Sequence, residues 1–304
     1  MIITNVTRIG DPMIVLYKNK YYASATYGEK GRDGFFVRES DDLLTWSDPV
    51  QCLDAAGSWG ENCFWAPEVV YHGGKFVMHF TARQRSSHSL RIGVAVSDSP
   101  FGPFSDVYGR PMFDFGYAAI DGSVLICDKG NYLYYSRDCS ENIIDGVHTS
   151  QLYCIRLNGD LTATVGEPVL ITTPEEEYEL KSMNPNGNSF IWNEGPCVIG
   201  YAGKYLLNYS ANCYATNDYC ICMATADDPM GPWKKPSYNP VLCSREGMTG
   251  AGHNYIFRDK DGGLRTSFHI QTSPEHPGGD RRMVIGRVKL FTDGEGNIRE
   301  DITD

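Results

Sequence analysis

Several common signatures of catalytic and binding proteins are missing from this 304-residue sequence. It has no G-x-S-x-G nucleophile motif, no H-E-x-x-H zinc motif and no glycine-rich phosphate loop. It also has no run of about 18 apolar residues, so no membrane-spanning helix is expected. Basic runs are missing and the formal net charge is −11, which argues against nucleic-acid and anionic-membrane partners. Nothing in the composition indicates an oligomeric state.

The cysteines lack the paired spacing of zinc sites. Ten are scattered along the chain, and Cys220 and Cys222 form C-x-C rather than C-x-x-C. Several lie in strand-like runs, where a free thiol behaves as a small apolar residue. We therefore expect reduced thiols and a reducing compartment, the cytoplasm. The N-terminus lacks the features of a secretory leader; removal of a leader would leave secreted or periplasmic locations open.

Long amphipathic helices are scarce, and the best candidate, residues 173–183, allows only one or two turns. Instead, a weak repeat occurs five times: an apolar run, a tight polar turn and an aromatic-rich run, which together predict a β-hairpin. The five hairpins span residues 13–26, 68–82, 123–136, 195–210 and 254–270. A third strand and a turn rich in Asp, Gly and Pro follow each hairpin. We predict an all-β, five-bladed β-propeller formed by residues 1–304 as a single domain, with a funnel-shaped central site.

Polar residues stand just before each hairpin. They are Asp11, Glu68, Asp121, Glu194 and His253. The number of residues from each of them to the equivalent position in its hairpin is 10, 8, 11, 11 and 11. Those equivalent positions are Tyr21, Phe76, Tyr132, Tyr205 and Leu264. If each first strand lines the central channel, these side chains converge at one end of it. Asp-Pro and Glu-Gly-Pro are also ordinary turn sequences, but a turn requirement does not explain acids in register in successive repeats.

Paired carboxylates at such a site point to glycoside hydrolysis, in which one acid protonates the leaving oxygen and another activates water or attacks the sugar. Aromatic residues make up 12% of the chain, and their faces suit the apolar faces of sugars. Trp59, Trp65 and Trp192 flank the polar motifs and are candidate stacking residues, although packing between blades would explain each of them equally well.

The motifs "GDPMIVLY", "WAPEVVYHGGKF", "AIDGSVLI", "NEGPCVIGY" and "GHN" together resemble glycoside hydrolase family 43 over residues 8–290. The resemblance implies a five-bladed propeller and hydrolysis with inversion of the anomeric configuration. It implies that Asp11 is the general base, that Asp121 tunes and orients the acid, and that Glu194 is the general acid. An inverting site needs its two carboxyl groups about 6.5–9.5 Å apart, and the acid must keep its proton near neutral pH.

The resemblance also suggests residues that bind substrate or ions. It matches His253 to a channel histidine that, in some members, helps to hold calcium or sodium through water, and it requires no other cofactor. Arg281 or Arg282 resembles a late arginine that contacts substrate, and Trp65 and Glu68 are expected to line the sugar site. Many family members have Asp where Glu68 stands, a departure that affects the site's shape.

Four functions remain open at this point. The first is an exo-acting inverting glycosidase that releases α-L-arabinofuranosyl or β-D-xylosyl units from plant cell-wall oligosaccharides. The second is a related hydrolase of galactan or arabinan, and the third is a non-catalytic carbohydrate-binding propeller. The fourth is a structural interaction propeller, which would be expected to lack buried acids at one end of the channel. A base, an acid and a tuning carboxylate together favour catalysis, since sugar binding alone needs none of these roles. The loops, predicted between blades at about 27–34, 83–91, 112–120, 138–150 and 212–219, would determine the substrate.

Overall fold

The computed structural model describes residues 1–27, 34–181 and 189–304, and the regular secondary structure of these residues is almost entirely β-strand. The strands are β1 (Ile2–Thr7), β2 (Ile9–Tyr17), β3 (Lys20–Tyr27), β4 (Gly34–Ser40), β5 (Val50–Asp54), β6 (Gly60–His72), β7 (Lys75–Gln84), β8 (Leu90–Ser97), β9 (Ser105–Asp106), β10 (Ala119–Cys127), β11 (Gly130–Arg137), β12 (Ile143–Ile144), β13 (Val147–Leu157), β14 (Thr164–Thr172), β15 (Phe190–Tyr201), β16 (Lys204–Ala211), β17 (Cys220–Ala226), β18 (Gly252–Arg258), β19 (Leu264–Gln271), β20 (Arg281–Thr292) and β21 (Ile298–Thr303).

Within that part of the chain the helical content is one 3₁₀ turn, Glu177–Glu179, inside the predicted helix candidate. Residues 182 and 183 of that candidate lie outside the described residues. No helix in the described ranges is long and apolar enough to cross a membrane.

The strands form five antiparallel blades in chain order. Blade one is β2–β5, blade two is β6–β9, and blade three is β10, β11, β13 and β14. Blade four is β15–β17, and its outer side is completed by an isolated bridge between Thr225 and Lys234. Blade five is β18–β20. Strands β13 and β15 also pair in parallel over three residues, which joins blades three and four along one edge.

The blades close into a ring. The first strand of each blade contacts the first strand of the next, and β18 of blade five contacts β2 of blade one. Both ends of the chain complete blade five, because β1 and β21 each pair with a different part of β20. The amino group of Met1 also pairs with the carboxylate of Asp304. The predicted five-bladed propeller is confirmed.

Aromatic and branched residues fill the spaces between blades, as expected for strands buried on both faces. Phe35, Phe76 and Phe80 are fully buried in the core between blades one and two. Trp59 belongs to this core: its ring stacks on Phe80, with 5.9 Å between centroids, and its indole N–H donates to Asp106. The interpretation of Trp59 as a sugar-stacking residue is therefore wrong, and the packing alternative holds.

Each first strand carries a β-bulge in which one residue adopts a left-handed conformation. These five bulge residues are Asp11, Ala66, Asp121, Gly195 and His253, with φ between 44° and 58°. The pairing register shifts at each of them. Asp11, Asp121 and His253 are thus bulge residues themselves, whereas Glu194 and Glu68 are displaced from the bulges of their strands. Glu194 precedes its bulge residue by one position, and Glu68 follows its bulge residue by two.

Hydrogen bonds between blades hold the bulges in place. In four of the five, the bulge N–H donates to a side chain on the second strand of the preceding blade. The acceptors are Thr26, Thr81, Ser210 and His269. At the remaining junction the Gly195 N–H donates to Asp121, and the hydroxyl of Ser136, which faces the equivalent position, has no hydrogen-bond partner among the described residues. The acid-bearing strand is thus attached to a carboxylate instead of a hydroxyl.

Candidate active site

An open cavity of about 310 Å³ lies at one end of the central channel. Its walls come from all five blades and combine four of the five predicted polar residues with aromatic side chains. The described lining residues are Asp11, Thr26, Trp65, Arg83, Leu90, Ile120, Asp121, Asp138, Ser140, Trp192, Glu194, Tyr214, Tyr219, His253 and Arg281. Three carboxylates from distant parts of the sequence therefore meet in one cavity, as predicted.

Asp11 is surrounded by groups that stabilise its charge. Oδ1 lies 3.3 Å from Nη1 of Arg281 and 3.3 Å from Nδ1 of His253, while Oδ2 accepts a 2.5 Å hydrogen bond from Thr26. Burial opposes ionisation, but His253 and Arg281 outweigh it and hold the pKa of Asp11 well below its usual range. Asp11 is therefore an ionised carboxylate, the state that a proton acceptor requires.

His269 supports the same residue from behind. It is fully buried on β19, and its Nδ1 accepts the backbone N–H of Asp11 at 3.1 Å. Burial and the nearby Arg281 charge lower the pKa of His269 well below its ordinary value, so the ring is neutral. Sequence analysis missed this residue, because a histidine within a hairpin strand resembles any other core residue.

Glu194 has the opposite electrostatic environment from Asp11. Burial raises its pKa well above the usual value, and the neighbouring charge of Asp121 adds to the effect. The pKa of Asp121 is itself raised, mainly by burial. Asp121 also accepts the N–H of Gly195 at 3.1 Å, one residue beyond Glu194. The cavity thus contains one carboxylate stabilised in its charged form and one stabilised in its protonated form.

Asn193 anchors the other face of this strand. Its amide donates to Glu179 at 3.0 Å and accepts from Thr172 at 2.9 Å. Glu179 is completely buried and paired with Lys235 at 2.7 Å. Because neighbouring side chains point to opposite faces of a strand, anchoring Asn193 directs Glu194 toward the cavity.

Two further lining residues, Asp138 and Tyr219, were not identified from the sequence. Asp138 is buried, and its charge adds to the rise in the pKa of both Asp121 and Glu194. Tyr219 donates a 2.9 Å hydrogen bond to Oε1 of Glu194. Both residues lie in segments predicted only as loops, 138–150 and 212–219. The first segment contains the short β12–β13 hairpin, and both connect strands within a blade rather than between blades.

Unlike Trp59, the other two candidate sugar-stacking tryptophans lie at the cavity. Trp65 and Trp192 both line the cavity and are partly exposed. Trp192 continues a stack of parallel rings through Phe190 to His148, with centroid separations of 5.7 and 4.3 Å. Their sugar contacts stay predictions, but both rings are accessible to a ligand.

Glu68 lies apart from the open cavity. It lines a second cavity of about 20 Å³ on the channel axis, together with Asp11, Asp121 and His253. Its Oε1 accepts the N–H of Val124 at 2.6 Å, and burial raises its pKa to about 8. The structure does not bring Glu68 to the described wall of the open cavity, because it stands two residues beyond its bulge. Its predicted contact with substrate therefore lacks structural support.

The two neighbouring arginines lie on opposite faces of their strand, and Arg281 is the one at the cavity. Arg281 contacts Asp11 and stacks on the Tyr214 ring, 4.9 Å from the centroid. A Cβ on Gly10 would overlap its guanidinium group, so glycine at position 10 makes room for Arg281. Arg282 is next on the strand, points to the opposite face and is not among the described residues lining the cavity.

The residues around His253 do not fit the expected cation. Its Nδ1 faces the Asp11 carboxylate, and calcium prefers six to eight oxygen ligands. Across residues 1–27, 34–181 and 189–304, no group of three or more His, Cys, Asp and Glu side chains is arranged to hold a metal ion.

Comparison with known proteins agrees with this geometry. Residues 3–295 match the model of the glycosyl hydrolases family 43. A thermostable family-43 glycoside hydrolase of known structure is 40% identical, with a TM-score of 0.90, over 99% of this chain and 95% of that one.

Two characterised relatives share less of the sequence. A β-D-galactofuranosidase of Aspergillus niger is 27% identical over 81% of this chain and 69% of its own length. A xylosidase/arabinosidase of Bacteroides ovatus is 28% identical over 61% of this chain. The chain spans only 58% of that second relative. On the evidence of the family match, the fold and the arrangement of carboxylates, the chain belongs to glycosyl hydrolases family 43.

Proposed function

We propose that this glycoside hydrolase is exo-acting and inverting, and that it releases α-L-arabinofuranosyl or β-D-xylosyl units from plant cell-wall oligosaccharides. Asp11 acts as the general base and Glu194 as the general acid, while Asp121 tunes and orients Glu194. One observation carries these assignments: Asp11 and Glu194 line the same cavity with pKa values displaced in opposite directions. Such a separation distinguishes the acid from the base in a pair of carboxylates.

The reaction follows from these states. Ionised Asp11 removes a proton from a water molecule, whose oxygen attacks the anomeric carbon. Protonated Glu194 gives its proton to the glycosidic oxygen, and the bond between that oxygen and the anomeric carbon breaks. The new C–O bond forms on the face opposite the leaving group, so the product has the inverted configuration. Arg281 keeps Asp11 charged before the reaction, and Trp65 and Trp192 stack against sugar rings.

The cavity supports exo action on a small sugar. Its volume of about 310 Å³ is at the low end of the roughly 300–1,000 Å³ usual for small-molecule sites. That is room for one or two sugar units rather than a long polysaccharide segment. A xylosidase/arabinosidase and a galactofuranosidase among the relatives support pentosyl and furanosyl substrates.

The test is a panel of p-nitrophenyl glycosides and plant oligosaccharides, with the product anomer followed by ¹H NMR. Release of terminal arabinofuranose or xylose, first seen as the inverted anomer, is the expected result. Glu300→Gln is the control for substitutions of the cavity carboxylates and should release the same products as wild type. Glu300 is a buried carboxyl group bonded to Asn208 and is not among the described residues that line the cavity. A retained anomer, or internal cleavage of polymer without terminal release, would contradict the proposal.

We further propose that the enzyme uses no cofactor and works in a reducing compartment, the cytoplasm. All ten cysteines are free thiols, and seven of them are buried, which supports a reducing environment. Activity unchanged by EDTA, and recovery of the enzyme in the cytosolic fraction of its source cells, are the expected results. If EDTA abolished activity and calcium restored it, the enzyme would need a cation and the first proposal would be contradicted. Recovery of the enzyme in the culture medium would contradict the cytoplasmic location.

A further inference from the structure

Tyr219 occupies a tightly determined position between the two halves of the site. It is 1% exposed, and its ring stacks on His269 with 5.6 Å between centroids and 13° between planes. On another side it lies against Gly252, where an added Cβ would overlap the ring. The backbone and two neighbouring residues therefore fix where the phenol points.

The hydroxyl of Tyr219 points at the proposed acid. It donates to Oε1 of Glu194 at 2.9 Å. A protonated carboxyl group has one O–H donor, so an oxygen that accepts this bond is the carbonyl-like one and the proton resides on Oε2. After proton transfer, the same hydrogen bond goes to a charged carboxylate and becomes stronger.

We propose that Tyr219 is a positioning residue for proton donation: it selects which oxygen of Glu194 carries the proton and stabilises the carboxylate left behind. This inference rests on the proposed role of Glu194 as general acid. Tyr219 transfers no proton itself. It acts through Glu194, and it makes that carboxyl group a stronger acid than its buried position alone would allow.

The Tyr219 hydrogen bond changes the pKa of Glu194 in the opposite direction from the neighbouring carboxylates. The other titratable groups facing it are Asp121, Asp11, Asp138, Tyr214, Cys139 and Cys213. The three carboxylates raise the pKa of Glu194, whereas the Tyr219 hydrogen bond lowers it. The nearby His253 and the Arg281 guanidinium contact Asp11 instead. Loss of the hydroxyl should therefore leave Glu194 a weaker acid.

The test is Tyr219→Phe, which keeps the ring and removes the hydroxyl. The alkaline limb of the kcat/KM profile, which reports the general acid, should move up by about one pH unit. At the pH optimum, kcat should fall about tenfold on oligosaccharides, whose leaving group needs a proton, and much less on a p-nitrophenyl glycoside. A merely structural role would lower both rates equally and leave the limb in place.

The matched control is Tyr134→Phe, because Tyr134 is also fully buried and its hydroxyl donates to the Pro229 carbonyl away from the cavity. An unchanged limb and an unchanged rate ratio in Tyr219→Phe would overturn the inference. If that variant does not fold, 3-fluorotyrosine at position 219, a stronger donor, should move the limb to lower pH; no movement would overturn the inference. Wild-type inactivity on every glycoside would instead overturn the proposed function.

Discussion

The backbone N–H of Gly195 donates a hydrogen bond to Oδ2 of Asp121 at 3.1 Å. This bond joins the bulge of blade three to the residue directly after Glu194. At four other junctions a threonine, serine or histidine side chain accepts the equivalent N–H. Asp121 therefore does two things at once: it holds the acid-bearing strand, and its charge raises the pKa of Glu194.

The two effects of Asp121 can be separated by substitution. In Asp121→Asn the amide oxygen can still accept the Gly195 N–H, but the charge is gone. The pKa of Glu194 should fall, so the alkaline limb of the kcat/KM profile should move to lower pH, with activity roughly tenfold lower or less. Asp121→Ala removes the acceptor as well and should lose more activity. Equal profiles in wild type and Asp121→Asn would show that burial alone keeps Glu194 protonated.

Gly10→Ala should have the same effect on activity as removal of the Arg281 side chain. The added methyl group would overlap the guanidinium and displace it from Asp11. Without that positive charge the pKa of Asp11 rises, so the acid limb should move to higher pH, and kcat/KM should fall by about tenfold or more.

A double-mutant cycle with Arg281→Ala checks the mechanism of that loss. The two substitutions should be strongly non-additive, because the first acts through the residue that the second removes. Gly200→Ala is the control, since Gly200 is exposed on β15 and a Cβ there meets no neighbour. Additive losses would mean that Gly10 matters for another reason.

Glu68 should make the protein less stable as pH rises. Burial raises its pKa to about 8, so between the unfolded value of 4.5 and 8 the folded protein binds more protons than the unfolded chain. Stability from this group is fully present below pH 4.5 and is lost as pH rises toward 8. Relative to wild type, Glu68→Gln should therefore gain about 2–3 kcal/mol in unfolding free energy between pH 4.5 and 7.

Urea unfolding at a series of pH values measures that difference. Glu167→Gln, at an exposed carboxyl group, is the control and should follow wild type across the series. A Glu68→Gln curve that stays parallel to wild type from pH 4.5 to 8 would contradict the raised pKa.

Sequence patterns predicted the fold and the meeting of the three carboxylates because both depend on local repeats. Hairpin periodicity defines each first strand, and ring closure then brings Asp11, Asp121 and Glu194 to one end of the channel. What the patterns missed depends on the bulges. An offset of one or two residues within a strand changes which side chain faces the cavity, and for this reason the repeat pattern predicts Glu68 in the open site although it lies outside it.

Contacts between distant segments were also beyond the sequence. Tyr219 and Asp138 lie in loops, and nothing local indicates that either one faces Glu194. The resemblance assigned the tuning of the acid to Asp121, and the sequence could not rank that charge against burial. The structure places burial first and the Asp121 charge second, with Asp138 adding to it and Tyr219 opposing it.

The most direct test of the account compares Glu194→Gln and Asp11→Asn on two leaving groups. The 2,4-dinitrophenolate group of an activated glycoside leaves without protonation, whereas the leaving sugar of an oligosaccharide must be protonated. Glu194→Gln should lose about 100-fold or more in kcat/KM on the oligosaccharide and far less on the activated glycoside, while Asp11→Asn should lose activity on both. Equal losses on the two substrates in Glu194→Gln, or near wild-type turnover in either variant, would contradict the assignment of acid and base.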